Sequence, residues 1–393
     1  MPWEHARAAA YRAGADAARP AVEVPLAEAD GLTLAEPLTT LTDLPAFATS
    51  SVDGWAVRGP APWRVTGRVL AGDTAAPLPG DGTCVEIATG AMVPAGTEHV
   101  LRIEESSRDG DLVTGRPRPH PEWRVPGEEA SRGEELLPAG TPATPGVIGL
   151  AASCGYDTLA VRPAPRAAVL VFGDELLTSG TPGAGRVRDS LGPQIPAWLR
   201  RLGATTDTAV GPVKDTLDAH VDAVRAALDS GADLVCTTGG TMHGPVDHLH
   251  PALAELGASY VVNTVAVRPG FPMLLAGLPG GKFLAGLPGN PQSAVVALAS
   301  LVAPLLAGLQ GRPEPALPTV TLGAPIPGRG SYTHLALVRM EGGLAHPVPH
   351  VGSSMLRGLA RSVGFAMIAP GTDGAPGATV PLVPLPLLDG ERS

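Results

Sequence analysis

Cysteine and charge are both scarce in this chain. Cys84, Cys154 and Cys236 are the three cysteines among 393 residues. They lie far apart and are odd in number, which excludes a disulfide framework, and their spacing matches no zinc site. Small buried thiols in a reducing compartment are the expectation. Charged residues make up 17% of the chain and the formal net charge is −10. No run of Lys and Arg occurs, so a nucleic-acid-binding face is excluded. An acidic chain still binds anions, through local Arg residues, backbone N–H groups and helix ends. The opening Met1-Pro-Trp-Glu-His-Ala-Arg has no apolar signal-like core, and no apolar stretch is read as a membrane span. Ala294–Leu309 comes closest, but it contains Pro304 and reads as a buried amphipathic helix. A cytoplasmic protein with neither membrane nor nucleic-acid partner is expected.

Hydrophobic residues reach 44%, enough for a substantial core. The length implies two to four domains of roughly 100–150 residues each. Gly (50) and Pro (43) are abundant but follow no period, which excludes a collagen-like chain and implies tight turns between short strands.

The expected fold class is α/β plus β, in several domains. Residues 1–163 form an N-terminal region, opening on a helix at residues 4–19. A small β domain is inserted at about residues 50–122, with strands Trp55–Val57, Arg64–Val69, Thr83–Ile87, His99–Ile103 and Leu112–Val113. Residues 164–311 alternate strand and helix, which predicts a mostly parallel, doubly wound sheet. Its elements are strands Ala167–Phe172, Thr205–Val210, Asp233–Thr237, Tyr260–Val267, Met273–Gly277 and Lys282–Ala285, with helices Gln194–Leu202, Asp215–Asp229 and Pro251–Glu255. Residues 312–393 form a C-terminal β domain.

Three stretches at strand ends carry candidate chemistry. Ligands of open α/β sheets bind at the carboxyl ends of strands, beside helix N-termini. In Gly286-Leu-Pro-Gly-Asn-Pro, Asn290 suits a helix N-cap and Pro291 the first helical position; a plain capped turn is the alternative. In Thr237-Thr-Gly-Gly-Thr, Gly239 and Gly240 let backbone N–H groups approach an anion, and Thr side chains donate to phosphate. Asp247 closes that loop. It lacks both the P-loop ending and the dinucleotide spacing. His243, His248 and His250 crowd nearby without a zinc pattern. In Phe172-Gly-Asp-Glu-Leu, Asp174 and Glu175 either bind a cation or form a turn beside a solvated acid. Arg186 and Arg188 could pair with phosphate.

In this order and spacing the chain resembles the molybdopterin molybdenumtransferases, the family of MoeA and the gephyrin E domain. The resemblance runs over essentially the whole chain. It rests on Ser51-Val-Asp-Gly-Trp-Ala-Val, Ile87-Ala-Thr-Gly-Ala-Met-Val-Pro, Gly127-Glu-Glu, Gly173-Asp-Glu-Leu, Thr238-Gly-Gly with Asp247, Arg268-Pro-Gly, Gly286-Leu-Pro-Gly-Asn-Pro and Gly352-Ser-Ser-Met-Leu. It implies four domains, an elongated homodimer, and insertion of molybdenum from molybdate into adenylated molybdopterin with release of AMP, assisted by Mg2+. An upstream adenylyltransferase would be a partner. Carried over position by position, Asp53, Thr89, Arg124, Glu175, Asp215 and Asp247 match functional positions of the family. Catalytic roles are expected for Asp53, Thr89, Arg124, Glu129 and Arg268, and the strand-end carboxylates Asp174, Glu175, Asp215 and Asp247 could hold the divalent cation through oxygen ligands. Substrate binding is expected at Gly173, Asp189, Ser190, Thr238, Gly239, Gly240, Thr241, Pro288, Gly289, Asn290 and Ser353.

The chain departs from the family at several of these places. The usual Lys-Pro-Gly-Lys-Pro is Arg268-Pro-Gly-Phe271-Pro, so one cation has become an aromatic ring that could stack on the pterin or adenine. Gly-Glu-Asp has become Gly127-Glu128-Glu129, and Asp-Thr-Asn has become Asp189-Ser190-Leu191. Asn-Ser-Ala-Met-Asp-Gly has become Thr49-Ser-Ser-Val-Asp-Gly. The alternative to a working insertase is therefore a catalytically impaired paralogue that binds molybdopterin or its adenylate as a carrier or scaffold.

Overall fold

A computed structural model describes residues 1–241, 248–350 and 352–387. The chain divides into two compact units. One comprises Met1–Val22, Gly31–Ala35 and the chain from Val161 onward; the other comprises Glu23–Asp30 and Glu36–Ala160.

The second unit is built on a six-stranded sheet, in the order His99–Arg102, Gly54–Arg58, Thr83–Ile87, Trp63–Val69, Leu112–Gly115, Ser106–Asp109. The five short strands expected from the Gly/Pro punctuation all form, joined by the sixth at Ser106–Asp109. Trp55, Val57, Trp63, Cys84, Leu101 and Val113 pack on one face. Ala56, Val69, Val85, Ile87 and Val100 pack on the other. Alternate residues of Gly54–Arg58 thus feed opposite faces, as the two-residue period of a strand requires.

The first unit contains the α/β sheet, in the order Val210–Val213, Ala167–Phe172, Leu234–Thr238, Lys282–Leu287, Leu274–Leu278, Ser259–Val262. The first four strands run parallel. Leu274–Leu278 runs antiparallel to both its neighbours, which makes a mixed edge on a mostly parallel sheet. Helices Leu217–Asp229 and Leu249–Glu255 contribute Val224, Ala227, Leu249 and Leu253 to the core on one face. The other face carries the helical run Pro291–Leu309 and the N-terminal helix Trp3–Asp16.

That run starts at Pro291, after Asn290 at the N-cap position and ahead of the apolar stretch Ala294–Leu309. It spans 19 residues with a mean hydropathy of 1.9, so it is long and apolar enough to cross a membrane, yet 94% of it is buried inside the protein. It is therefore buried nearly all round rather than amphipathic. Its middle, Leu298–Val302, widens into a π-helical turn just ahead of Pro304, whose missing N–H breaks the regular ladder.

Trp3–Asp16 crosses this run at two glycines. A Cβ at Gly308 would strike the Tyr11 carbonyl, and one at Gly14 the Leu305 carbonyl. Trp3 Nε1 donates to Ser300 Oγ at 2.9 Å, and the Arg7 guanidinium donates to the carbonyls of Ala299 and Pro315. Both obstacles are backbone atoms and cannot rotate away. The clash should therefore outweigh the helix propensity gained by alanine, and Gly308→Ala should destabilise by about 1–3 kcal/mol. Thermal melting checks this; a melting temperature at or above native would show that the helices can part at little cost.

Three expected elements come out differently. The strand expected at Thr205–Val210 lies at Val210–Val213, and Thr205 makes only a single bridge to Arg166. The strand expected at Tyr260–Val267 splits. Ser259–Val262 stays in the α/β sheet, while Val267–Arg268 joins the C-terminal sheet, parallel to Thr333 and His334. The helix expected from Asp215 starts at Leu217, capped by the Thr216 hydroxyl rather than by Asp215. The C-terminal sheet runs Val267–Arg268, Thr333–Glu341, Gly364–Ile368, Thr379–Pro384, Thr319–Thr321, with Leu344–Pro347 beside Thr333–Glu341.

Candidate functional site

The four parallel strands end side by side, and each hands on to a loop that holds candidate residues. After Phe172 come Gly173, Asp174 and Glu175; after Val213 comes Asp215. Thr238 leads into Gly239, Gly240 and Thr241, and Leu287 into Pro288, Gly289 and Asn290. Gly239 and Gly240 take φ of +87° and +68°, a left-handed pair that side-chain-bearing residues rarely adopt. The Gly239 N–H donates to the Leu287 carbonyl at 2.9 Å, which ties this loop to the neighbouring one. Asn290 occupies the N-cap position and Pro291 the first turn, as expected, but the Asn290 side chain makes no capping bond.

These loops line a cavity of about 830 Å³. Glu175, Asp189, Ser190, Thr238, Gly239, Gly240, Thr241, Pro288, Gly289 and Asn290 all reach it. A second cavity, of about 870 Å³, shares Pro272, Pro288 and Asn290 with the first. Its lining includes Arg268, Phe271, Arg329, Tyr332, His334 and Ser353. The Pro288-Gly289-Asn290 turn is thus a common wall between the two.

The acidic residues cluster by backbone position after the two outer strands, Ala167–Phe172 and Val210–Val213, but among the described residues their side chains do not converge into a three-ligand site. The Asp174 N–H donates to Asp215 Oδ2 at 3.3 Å. The Glu175 carboxylate folds back under Gly173, where a Cβ would lie 2.8 Å from its Oε2. Because Thr216 takes the cap, the Asp215 carboxylate is left for this cluster. Its Oδ1 lies 3.5 Å from His220 Nε2. His220 was not anticipated from sequence. It is 1% exposed and stacks on Phe172 at 3.8 Å. Burial pushes its pKa down, against the pull of Asp215, so it stands neutral beside that carboxylate. Asp247 and His243 lie outside the described residues. His248 stands edge-on to His220 at 5.8 Å, and His250 Nδ1 lies 2.6 Å from the Tyr260 hydroxyl.

Other residues have partners within the fold. Asp189 Oδ1 accepts the N–H groups of Leu191 and Gly192, so this carboxylate holds its own turn. Arg186 and Arg188 donate to the carbonyls of Leu176 and Leu177. The Ser353 carbonyl accepts the Gln292 N–H.

In the other unit, Asp53 and Thr89 meet. Asp53 Oδ1 accepts the Thr89 N–H at 2.6 Å and its hydroxyl at 2.9 Å. Both bonds favour the ionised acid and hold its pKa below the usual carboxylate value, the backbone bond most strongly. The folded pKa is the lower one, so the stabilisation is complete above the unfolded value of about 3.9 and disappears as pH falls through the folded value. Asp53→Asn should therefore lessen the loss of stability as pH falls below about pH 4 relative to native, followed by denaturant melts through the acid range. Parallel acid profiles would refute the assignment. Arg124 is exposed on a two-residue strand paired with Thr49 and Ser50. Glu129 is exposed, and its N–H donates to the Leu44 carbonyl.

Three family models match the chain in order: the MoeA N-terminal region (domain I and II) over residues 1–155, the probable molybdopterin binding domain over residues 168–308, and the MoeA C-terminal region (domain IV) over residues 319–385. Among curated relatives, the molybdopterin molybdenumtransferase of Bacillus subtilis is 32% identical over 364 residues, covering 87% of this chain and 84% of the relative. That of Staphylococcus aureus is 32% identical over 309 residues, covering 75% and 73%. Among solved structures, the molybdopterin biosynthesis MoeA protein of Pyrococcus horikoshii superposes with a TM-score of 0.80 at 24% identity, covering 99% of both chains.

Proposed function

Since the chain belongs to the molybdopterin molybdenumtransferase family, we propose that it inserts molybdenum from molybdate into adenylated molybdopterin and releases AMP. The observation that carries this reading is the pair of cavities sharing the Pro288–Asn290 wall. A transfer between two reactants needs both held within reach of one another, and binding in adjacent cavities supplies that proximity.

The first cavity suits the adenylate's pyrophosphate. Its glycine backbone at Gly239 and Gly240 and the hydroxyls of Ser190, Thr238 and Thr241 are donors to phosphate oxygens. Gly173 keeps room for the Glu175 carboxylate beside it. The Asn290 side chain, which makes no capping bond, is available to the substrate. The second cavity suits a tetrahedral oxyanion, with Arg268 and the Ser353 hydroxyl as donors.

The residues fit Mg2+. Asp174, Glu175 and Asp215 offer only carboxylate oxygens, and among the described residues no three His, Cys, Asp or Glu side chains converge into a closed cage. Magnesium is typically held this way, by one or two carboxylates with substrate phosphates and water completing the shell. When bound, it neutralises phosphate charge and assists cleavage of the phosphoanhydride. Asp53, Thr89, Arg124 and Glu129 take catalytic roles by the resemblance. The reading includes a homodimer, a cytoplasmic location consistent with three buried free thiols, and an adenylyltransferase that supplies the substrate. Cys84 and Cys236 are pushed up to about 11 and about 12 by burial, which keeps them unreactive.

One observation favours a second reading, the binder without chemistry: Phe271 brings a ring, not a cation, to the second cavity. The test of the insertase is AMP release from adenylated molybdopterin and molybdate. It should stop on chelation of magnesium and return on its addition. AMP release indifferent to chelation would remove the metal from the account.

A further inference from the structure

We propose that Tyr332 is a positioning residue for Arg268, acting with Phe271 as an aromatic clamp that fixes the guanidinium in the second cavity. The proposal rests on the reading of that cavity as the oxyanion site. Neither the resemblance nor the family matches assign Tyr332 a role.

The clamp follows from chain topology. Val267–Arg268 leaves the α/β sheet and lies parallel to the C-terminal strand, with Val267 opposite Thr333 and Arg268 opposite His334. That register brings Arg268 beside the residue just before the strand, Tyr332. The guanidinium carbon lies 4.4 Å from the Tyr332 ring centroid and 5.3 Å from that of Phe271. The two rings stand edge to face, 5.8 Å apart at 85°. A guanidinium over an aromatic face is drawn by the negative face of the π system and loses water on that side. Arg268 is otherwise an exposed, rotamer-rich side chain, and two ring contacts remove much of that freedom before any ligand arrives. Its N–H groups are the donors that the oxyanion reading requires.

The neighbouring groups sharpen the point. His334 lines the same cavity, but its Nδ1 is engaged with the Pro327 carbonyl at 2.8 Å, and burial lowers its pKa. At neutral pH it adds no charge. Arg329 is the other cation in the lining. Where the family motif carries a second lysine, this chain carries a ring that holds the remaining cation still. The departure at Phe271 thus exchanges charge for preorganisation. The ring of Tyr332 should matter and its hydroxyl should not.

The test is calorimetric titration of sodium molybdate into the full-length protein, native and as Tyr332→Leu, Tyr332→Phe and Phe271→Leu. Adenylated molybdopterin affinity and melting temperature are measured alongside. Tyr332→Leu should weaken molybdate binding about five- to tenfold, Phe271→Leu about two- to fivefold, and Tyr332→Phe should remain within about twofold of native. Adenylate affinity and melting temperature should hold in all three. Native-like molybdate affinity in both leucine variants would overturn the clamp while leaving the oxyanion site standing. Equal losses in Tyr332→Phe and Tyr332→Leu would overturn it in favour of a hydroxyl contact. Loss of adenylate affinity and melting temperature together with molybdate binding in both leucine variants would reduce the rings to ordinary packing. Failure of the native protein to bind molybdate at millimolar concentration would overturn the oxyanion reading and the clamp with it.

Discussion

Arg268→Leu should lower the rate of AMP release by about a hundred- to a thousandfold, the cost of losing one charge-stabilising donor from a transition state. Arg268 lines the second cavity, and the wall at Pro288–Asn290 separates it from the loops proposed to receive the adenylate. The loss should therefore appear in kcat and in the molybdate KM, while adenylate affinity stays within about twofold of native. Phe271 cannot substitute, because a phenyl ring donates no hydrogen bond. Quantifying AMP at several molybdate concentrations separates the terms. A native-like molybdate KM would show that the oxyanion meets a different group.

Asp215→Asn should produce the second large effect, about a hundredfold at limiting magnesium and recovered in part by excess. The substitution is nearly isosteric. The amide oxygen can still accept the Asp174 N–H that Asp215 Oδ2 accepts, and Thr216 still caps the helix from Leu217, so the fold should persist. The lost quantity is the negative charge beside a neutral, buried His220. A titration of activity against magnesium reads the change directly. An unshifted magnesium dependence would show that Asp215 lies outside the metal's shell.

The parts of the site legible from sequence are those written in local chemistry. Apolar runs that end in glycine or proline announce the strand ends at Phe172, Thr238 and Leu287, and those loops line one cavity. Short β-prone runs separated by Gly and Pro turns announce the small β domain. Where two local solutions are equally good, sequence alone does not choose. Asp215 and Thr216 are both competent N-caps. Thr216 takes the cap, which leaves Asp215 to the cluster at the strand ends. Thr205–Val210 is rich in β-branched residues, as a strand should be, but pairing with Ala167–Phe172 begins only at Val210, opposite Leu170, and continues to Val213, opposite Phe172.

Long-range contacts are the illegible remainder. Nothing in Arg268-Pro-Gly-Phe signals that its first residue will pair with a strand more than sixty positions away, nor that Tyr332 will face it. His220 reads as an ordinary helix residue. Its burial against Phe172 follows from the packing of Leu217–Asp229 on the sheet, and that packing sets its charge state. The departures at Phe271 and Leu191 are visible in the sequence, but their consequences depend on such contacts. Leu191, 4% exposed, joins the core, while Phe271 packs on a cation.

One reaction distinguishes an insertase from a binder. Purified protein is mixed with adenylated molybdopterin, molybdate and magnesium, and AMP and molybdenum cofactor are quantified together. The account predicts both products in equal amounts, each dependent on molybdate. Tight adenylate binding with neither product would contradict it and leave a pterin-binding relative without the insertion chemistry.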